Sequence, residues 1–285
     1  MRLRSLRSLR SLPGAGSSAL VKLVWTLIIL IPFVSMILLA FRSLAALYND
    51  PLGLSGAWVP ENFRQAWDGP QGGSGFSVYA RNSVIVAVEA VAISAVLGSF
   101  AAYFTATLPA KWRRQAMVPA LIAQTVPGIA LVIPFFQAFN AIGTLSSPAA
   151  LGVLYGLLCL PTTLLILHAF FVDFPSDVRE AAAIDGLGPV GTFLRIVLPL
   201  SVGSLGAVSL LNLIWVWGET LIGLALLENS ASQTISIGLL SFQDKWLANP
   251  GALFAGLAMA TVPITVIYLI FHRSINSGVS LGNFR

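Results

Sequence analysis

Six long apolar blocks, separated by polar segments, dominate the sequence. An α-helix needs about 20 residues to cross the hydrocarbon core of a bilayer, and each block is close to that length. The predicted spans are 23–40, 84–105, 117–138, 149–171, 200–227 and 252–271. We therefore expect an all-α membrane protein with about six transmembrane helices.

Composition excludes a water-soluble domain. Hydrophobic residues make up 56% of the 285 residues and charged residues only 9%, whereas soluble domains carry about 25% charged residues. The net charge of +5 does not indicate nucleic-acid binding, because the basic residues lie between the apolar blocks and are not clustered with aromatic ones. The single cysteine, Cys159, lies inside an apolar block, so we expect a packing residue.

The positions of lysine and arginine predict the orientation, because segments that face the cytoplasm are enriched in both. With the N-terminus inside, six crossings return the C-terminus to the cytoplasm. The inside basic residues are then Arg2, Arg4, Arg7, Arg10, Lys22, Lys111, Arg113, Arg114, Arg179, Arg195, Arg273 and Arg285, against Arg42, Arg64, Arg81 and Lys245 outside. We expect both termini in the cytoplasm.

This topology divides the chain into three parts. Residues 1–22 are a basic cytoplasmic arm, 23–272 a six-helix membrane domain, and 273–285 a cytoplasmic tail. A signal peptide is the alternative for the first apolar block, but the block is long for one and no small-residue cleavage site follows it. The membrane domain contains one long polar cytoplasmic loop, 172–199.

That loop carries its own helix signals. Asp177 and Glu180 form an Asp-x-x-Glu start signal, which predicts a short helix over 178–185. Gly186 follows where a helix ends in a left-handed residue, and Pro199 stands where we expect the fifth membrane helix to begin. By their spacing, four of its residues share one face of the short helix, namely Val178, Ala181, Ala182 and Asp185.

The loop resembles the EAA motif of ABC-importer permeases. The family pattern is Glu-Ala-Ala, three residues, Gly, nine residues, then Ile-x-Leu-Pro, and this chain meets all of it; Leu187 departs from the alanine that is common after the glycine. The resemblance implies a type I ABC-importer permease fold and a coupling helix that docks on a separate ATPase. It assigns ATPase coupling to Glu180, Ala181, Ala182, Asp185, Gly186, Ile196, Leu198 and Pro199.

Two further segments resemble the carbohydrate branch, in particular its second, MalG-like permease. One is the stretch that leads into the second helix, residues 60–63 and 79–83. The other is Trp217-Gly218-Glu219 in the fifth helix, where Gly218 replaces the usual asparagine. The resemblance implies half of a translocation pathway for a sugar or oligosaccharide in a bacterial inner membrane. The implied partners are a second homologous permease, two ATPase subunits and an extracytoplasmic binding protein.

The chain carries no Gly-x-x-x-x-Gly-Lys-Ser/Thr phosphate loop, no hydrolase triad and no metal-ligand cluster. We therefore expect a transport subunit that is not an enzyme and holds no cofactor, with ATP and Mg bound by the partner ATPase. Three alternatives stay open: an importer of another solute (amino acid, polyamine or glycerol phosphate), an ion-coupled secondary transporter, and a membrane enzyme or scaffold. A secondary transporter predicts inverted repeats and buried charge pairs, and a membrane enzyme or scaffold predicts clustered His or carboxylates. Neither pattern is evident in the sequence.

Polar and aromatic residues within the apolar blocks are the substrate-path candidates, since sugars are held by hydrogen bonds and aromatic stacking. They are Asn212, Trp215, Trp217 and Glu219 in the fifth block and Gln124, Phe135 and Phe136 in the third. Interfacial tryptophan anchoring with helix–helix hydrogen bonding is the alternative interpretation of the fifth block. We expect Glu89 in the second block to pair with a neighbouring helix or a partner subunit, and a role in the substrate path is the alternative.

Overall fold

The computed structural model describes residues 15–50, 57–69, 73–245 and 249–280. Most of the predicted N-terminal arm and the end of the tail lie outside these residues. Regular structure in the described ranges is helical. The α-helices are α1 Ala15–Ala40, α2 Leu44–Asn49, α3 Glu61–Asp68, α4 Phe76–Thr107, α5 Ala110–Thr125, α6 Val132–Ala141, α7 Pro148–Val172, α8 Ser176–Ile184, α9 Pro189–Thr192, α10 Leu198–Leu200, α11 Val202–Gly218, α12 Leu221–Leu226, α13 Ile235–Lys245 and α14 Pro250–Ser280. Short 3₁₀ turns cover Gly128–Leu131 and Ser230–Ser232, and a π-turn covers Phe193–Val197.

Four helices are long and apolar enough to cross a membrane alone. They are Ser18–Ala40 within α1, the whole of α4 and α7, and Pro250–Phe271 within α14. Two further pairs of helices are bent. α5 makes an angle of 89° with the segment Gly128–Ala141, and Pro189–Leu200 makes an angle of 77° with α11. If each bent pair counts as one span, the described part of the chain has six spans. The expectation of about six spans is confirmed in this sense.

The third predicted span is not one continuous helix. α5 ends at Thr125, Val126 is extended (φ −82°, ψ 117°), and the chain resumes as the turn Gly128–Leu131 before α6. Proline disfavours the helical conformation for the residue before it and has no N–H for the helix ladder, so Pro127 breaks the block at this point.

The fifth predicted span is interrupted at both ends. The membrane helix α11 begins at Val202, after a bend at Ser201, and ends at Gly218, where Glu219 is extended. Pro199 was expected to start this helix; it lies instead in the preceding segment. Because Pro199 has no N–H to bond the carbonyl four residues earlier, the chain widens just before it into the π-turn.

The centre of the bundle is the parallel pair α4 and α7, which glycines bring close together. A Cβ on Gly156 would lie 2.8 Å from Ile93 Cβ, and one on Gly98 would lie 2.8 Å from Thr163 Cβ. Small residues are the usual means by which membrane helices approach one another. α11 packs on this pair, and α14 packs on both α11 and α1.

Candidate functional site

The predicted coupling helix is present as α8. It begins at Ser176 with Pro175 as N-cap, and no side chain caps its first turn. The predicted Asp-x-x-Glu cap is therefore wrong: Asp177 lies inside the first turn, where a carboxylate interacts favourably with the helix dipole.

Gly186 ends this helix in the left-handed conformation that the sequence predicts, with φ +79°. Leu187 N–H donates to the Ala182 carbonyl at 2.9 Å and Gly186 N–H to Ala183 at 3.1 Å. This pair of hydrogen bonds is a Schellman motif, which a residue with a Cβ adopts only with strain. A Cβ on Gly186 meets nothing within 4 Å in this chain, so backbone conformation alone accounts for glycine here.

The two faces of α8 differ from the sequence prediction. Ala182 is buried and Val178 packs beside it on an aromatic cluster, whereas Ala181 and Asp185 are exposed. Adjacent helix positions lie about 100° apart, so Ala181 and Ala182 do not share a face. The exposed face also carries Glu180.

Ile184 is a feature that sequence reasoning missed. It lies at the end of α8 and is 86% exposed, the most exposed large hydrophobic side chain among the described residues. The available signal was a branched apolar residue at the end of a short cytoplasmic helix, directly before Asp185 and Gly186. An apolar side chain held out in this way supplies an anchor for a partner surface.

The loop returns to the bundle through Phe193, which is fully buried. Its ring centroid lies 4.7 Å from that of Phe100 and 4.9 Å from that of Tyr103, both on α4, and 6.3 Å from that of Phe171 on α7. Val178 of α8 packs on the same cluster. Close-packed rings therefore connect this loop to α4 and α7.

The remaining coupling candidates flank the bend. Ile196 and Leu198 are half-buried, and Pro199 is exposed next to the bend at Ser201. They lie in the segment that connects α8 to α11 and not on the exposed face of α8.

A cavity of about 320 Å³ lies at the break between α5 and the 3₁₀ turn. Three of the seven substrate-path candidates line it: Gln124, Asn212 and Trp215. Thr162 also lines it and accepts a hydrogen bond from Gln124 Nε2 at 2.6 Å. Sequence reasoning missed Thr162, although Pro-Thr-Thr at 161–163 is a polar interruption of an apolar block. The lining contains no charged side chain.

Asn212 is chiefly a contact between helices. Its Nδ2 donates to Thr163 Oγ1 on α7 at 2.7 Å and lies 3.2 Å from Ser94 Oγ on α4. The residue is 4% exposed. Its amide therefore joins α4, α7 and α11 at one point, as interhelical amides do in membrane proteins.

The carboxylate of Glu219 is hydrogen-bonded to other groups of this chain. Its carboxylate accepts hydrogen bonds from the Tyr155 hydroxyl, from Ile222 N–H at 2.9 Å and from Gly223 N–H at 3.1 Å. Ser236 Oγ donates to its backbone carbonyl at 2.8 Å. The side chain thus accepts hydrogen bonds from free N–H groups in the first turn of α12, and its bond to Tyr155 links that turn to α7.

The other three candidates lie away from the cavity. Trp217 borders an apolar groove formed with α4 and α14, and Phe135 and Phe136 pack on the core that contains Tyr155. Cys159 is 4% exposed in the same core, as the sequence predicts, and also borders the cavity. No group of three or more metal-ligating side chains occurs among the described residues.

Comparison with known proteins defines the class. The sequence profile of the family described as "Binding-protein-dependent transport system inner membrane component" matches residues 94–281, and the chain belongs to this family. Its members are inner-membrane components of transport systems that depend on a binding protein.

Individual relatives are similar over most of their length. The chain is 30% identical over 273 residues to the diacetylchitobiose uptake system permease protein NgcG of Streptomyces coelicolor, covering 95% of this chain and 89% of the relative. It is 32% identical to the trehalose transport system permease protein SugB of Mycobacterium tuberculosis, over 73% of this chain and 76% of the relative. Its fold matches a chain of a bacterial ABC transporter involved in the import of the acidic polysaccharide alginate, with a TM-score of 0.75 and 18% sequence identity. The match covers 90% of this chain and 95% of the other.

Proposed function

We propose that this chain is the permease subunit of an ATP-binding cassette importer and forms half of the translocation pathway for a sugar or oligosaccharide. The observation that carries the proposal is α8, a short exposed helix that ends at left-handed Gly186 and is fixed to the bundle through the cluster around Phe193. The EAA pattern over the same residues and the shared fold support it.

In this proposal α8 transmits the movement of the ATPase. Closure of two ATPase subunits on ATP pulls α8 by its exposed face, around Glu180 and Ile184. The buried face, Val178 and Ala182, moves the aromatic cluster and with it α4 and α7. The bends at Pro127 and Ser201 let the half-spans change angle without stretching the long helices, which alternates access to the cavity.

The cavity favours a neutral polyhydroxylated solute. Gln124 and Thr162 supply hydrogen-bonding groups, and Trp215, 43% exposed, supplies an aromatic face. A polyamine, an amino acid or glycerol phosphate carries charges that call for charged side chains, and the lining has none. The volume of about 320 Å³ lies at the small end of ligand pockets, as expected if a second permease supplies the rest of the site. The sugar names of the relatives support this substrate class.

The proposed assembly contains this chain, a second homologous permease, two ATPase subunits that bind ATP and Mg, and an extracytoplasmic binding protein. This chain itself holds no cofactor and hydrolyses no ATP. It spans a bacterial inner membrane with both termini in the cytoplasm, as the arrangement of basic residues favours.

The test is uptake by vesicles that contain the complex purified through a tag on this chain. We expect an ATPase to co-purify and labelled trehalose or diacetylchitobiose to enter only with ATP and binding protein. Competition by unlabelled putrescine, arginine or glycerol 3-phosphate should be absent. Uptake driven by a proton or sodium gradient, with neither ATP nor a partner, would contradict the proposal.

A further inference from the structure

Glu89 is a carboxylate near the middle of α4 that has no hydrogen-bond or ion-pair partner among the described residues. It is the fourteenth of 32 residues, which places it about 20 Å along the helix axis from Phe76. Its Oε2 is buried and accepts no hydrogen bond. None of residues 15–50, 57–69, 73–245 and 249–280 makes an ion pair or a hydrogen bond with this side chain. Hydrocarbon strongly disfavours a carboxylate in this position.

The side chain of Glu89 lies against the backbone of α7 at Gly152. A Cβ on Gly152 would lie 3.0 Å from Glu89 Cβ and 3.3 Å from Val86 Cα, so glycine is what lets the two helices meet here. Glu89 lies inside the apolar block 84–105, about 8 Å along the helix axis from the first residue of that block, and none of the described residues offers its carboxylate a hydrogen-bond donor. Its partner must therefore come to it at this depth.

The surface around Glu89 is apolar and open. Ile85 and Val96 on α4 are exposed, and Val153 and Leu157 on α7 are 47% and 48% exposed. Lipid chains would cover the four apolar side chains but offer no hydrogen-bond donor to Glu89. An apolar protein helix with one basic side chain satisfies both requirements.

We propose that this α4–α7 face, defined by Ile85, Glu89, Val96, Val153 and Leu157, binds a membrane helix of the second permease whose Arg or Lys pairs with Glu89. The inference rests on the proposed function, which requires a second permease. A single charge pair within an apolar contact fixes the register of two helices and disfavours partners that lack the cation. Glu89 therefore selects which permease joins this chain.

The first experiment maps the contact with Glu89 intact. A photoreactive benzoylphenylalanine replaces Val153 in the full chain, expressed in the native host, and its cross-linked products are identified by mass spectrometry. The control position is Val266 on α14, which is 47% exposed, the same as Val153. We expect Val153 to yield an adduct with a second, non-identical member of the same permease family, and Val266 not to. Adducts at Val153 with lipid alone, or with another copy of this chain, would overturn the proposal.

The second experiment tests the charge. Glu89→Leu should lower the amount of second permease recovered with this chain at least tenfold, while the chain reaches normal abundance in the membrane. Glu89→Gln keeps a hydrogen bond but loses the charge, so we expect a smaller loss of two- to fivefold. Val88→Leu, one residue away, should change recovery less than twofold. Recovery by Glu89→Leu within twofold of the wild type would overturn the proposal.

Failure of this inference is distinguishable from failure of the proposed function. A wild-type chain that co-purifies with no ATPase and no second permease contradicts the function itself. A wild-type complex that assembles and transports, yet gives no permease adduct at Val153, contradicts only the role assigned to the Glu89 face.

Discussion

Thr163 Oγ1 on α7 lies 2.7 Å from Asn212 Nδ2 on α11, and the same nitrogen lies 3.2 Å from Ser94 Oγ on α4. One amide therefore links the three helices that form the centre of the bundle. Gly98 packs directly on Thr163, which keeps α4 close enough for Ser94 to take part. The residue that the sequence offers for sugar binding is thus engaged in holding the wall of the cavity.

We expect Asn212→Leu to destabilise the protein by about 1–2 kcal/mol, since interhelical hydrogen bonds contribute on average about 0.6 and at most about 1.7 kcal/mol each. The measurement is unfolding of the purified chain in mixed detergent micelles. Leu211→Ala, at an exposed neighbouring position, should change stability by less than about 0.5 kcal/mol. An Asn212→Leu variant as stable as the wild type but unable to transport would assign Asn212 to substrate binding instead.

Gly186→Asp should abolish coupling while the protein still inserts. The left-handed conformation costs a residue with a Cβ about 1–2 kcal/mol, and a negative charge at a helix C-terminus costs about 0.3–1 kcal/mol more. Transport should fall sharply, and the ATPase should detach or stop responding to loaded binding protein. Gly188→Asp is the matched control, because Gly188 has φ −71°, has nothing within 4 Å of a Cβ, and is the N-cap of α9, where Asp is favoured. Transport by Gly186→Asp at the wild-type rate, with normal ATPase binding, would make the loop a simple connector.

Ile184→Asp should reduce the ATPase that co-purifies with the chain at least tenfold. This side chain is 86% exposed at the end of α8 and offers an apolar anchor that a carboxylate removes. Ile142→Asp places the same charge at a 70% exposed isoleucine beyond α6, at the other end of the bundle, and should leave co-purification unchanged. ATPase recovery with Ile184→Asp equal to that with Ile142→Asp would exclude Ile184 from the docking surface.

Glu219→Gln and Tyr155→Phe should each lower the stability of the chain, by about 0.5–2 kcal/mol, the range for loss of a helix-capping hydrogen bond. Both remove parts of one hydrogen-bonded unit that fixes α12 to α7. The double variant should therefore lose less than the sum of the two, as contacting residues do in a double-mutant cycle. Additive losses would show that the two side chains act independently. Thermal unfolding in detergent measures all three.

The orientation is tested by reporter fusions. Alkaline phosphatase should be active when fused at Gly73 or near Asn249, and a cytoplasmic reporter should be active at Arg114 or after Arg285. This follows from the excess of Lys and Arg in the segments assigned to the inside. A cytoplasmic signal at Gly73 would contradict the six-span topology.

The local features of the chain were readable from its sequence. Apolar block length is enough to identify membrane helices, because hydrocarbon requires every backbone hydrogen bond to close within the helix. A glycine after a short polar helix is enough to locate its end, because only glycine adopts the left-handed conformation freely. Gly186 has the predicted φ, and α4, α7 and α14 include the second, fourth and sixth predicted blocks.

Features that depend on which helix packs against a residue became visible only in the tertiary structure. Hydropathy does not distinguish a straight span from two half-helices, so the breaks at Pro127 and Ser201 appear only in the fold. Asn212 and Glu219 looked alike as polar residues in one block, yet one joins three helices and the other caps α12. Composition predicts that a buried polar group needs a partner, but only the arrangement of the helices determines whether that partner lies inside the chain, as for Glu219, or outside it, as we propose for Glu89.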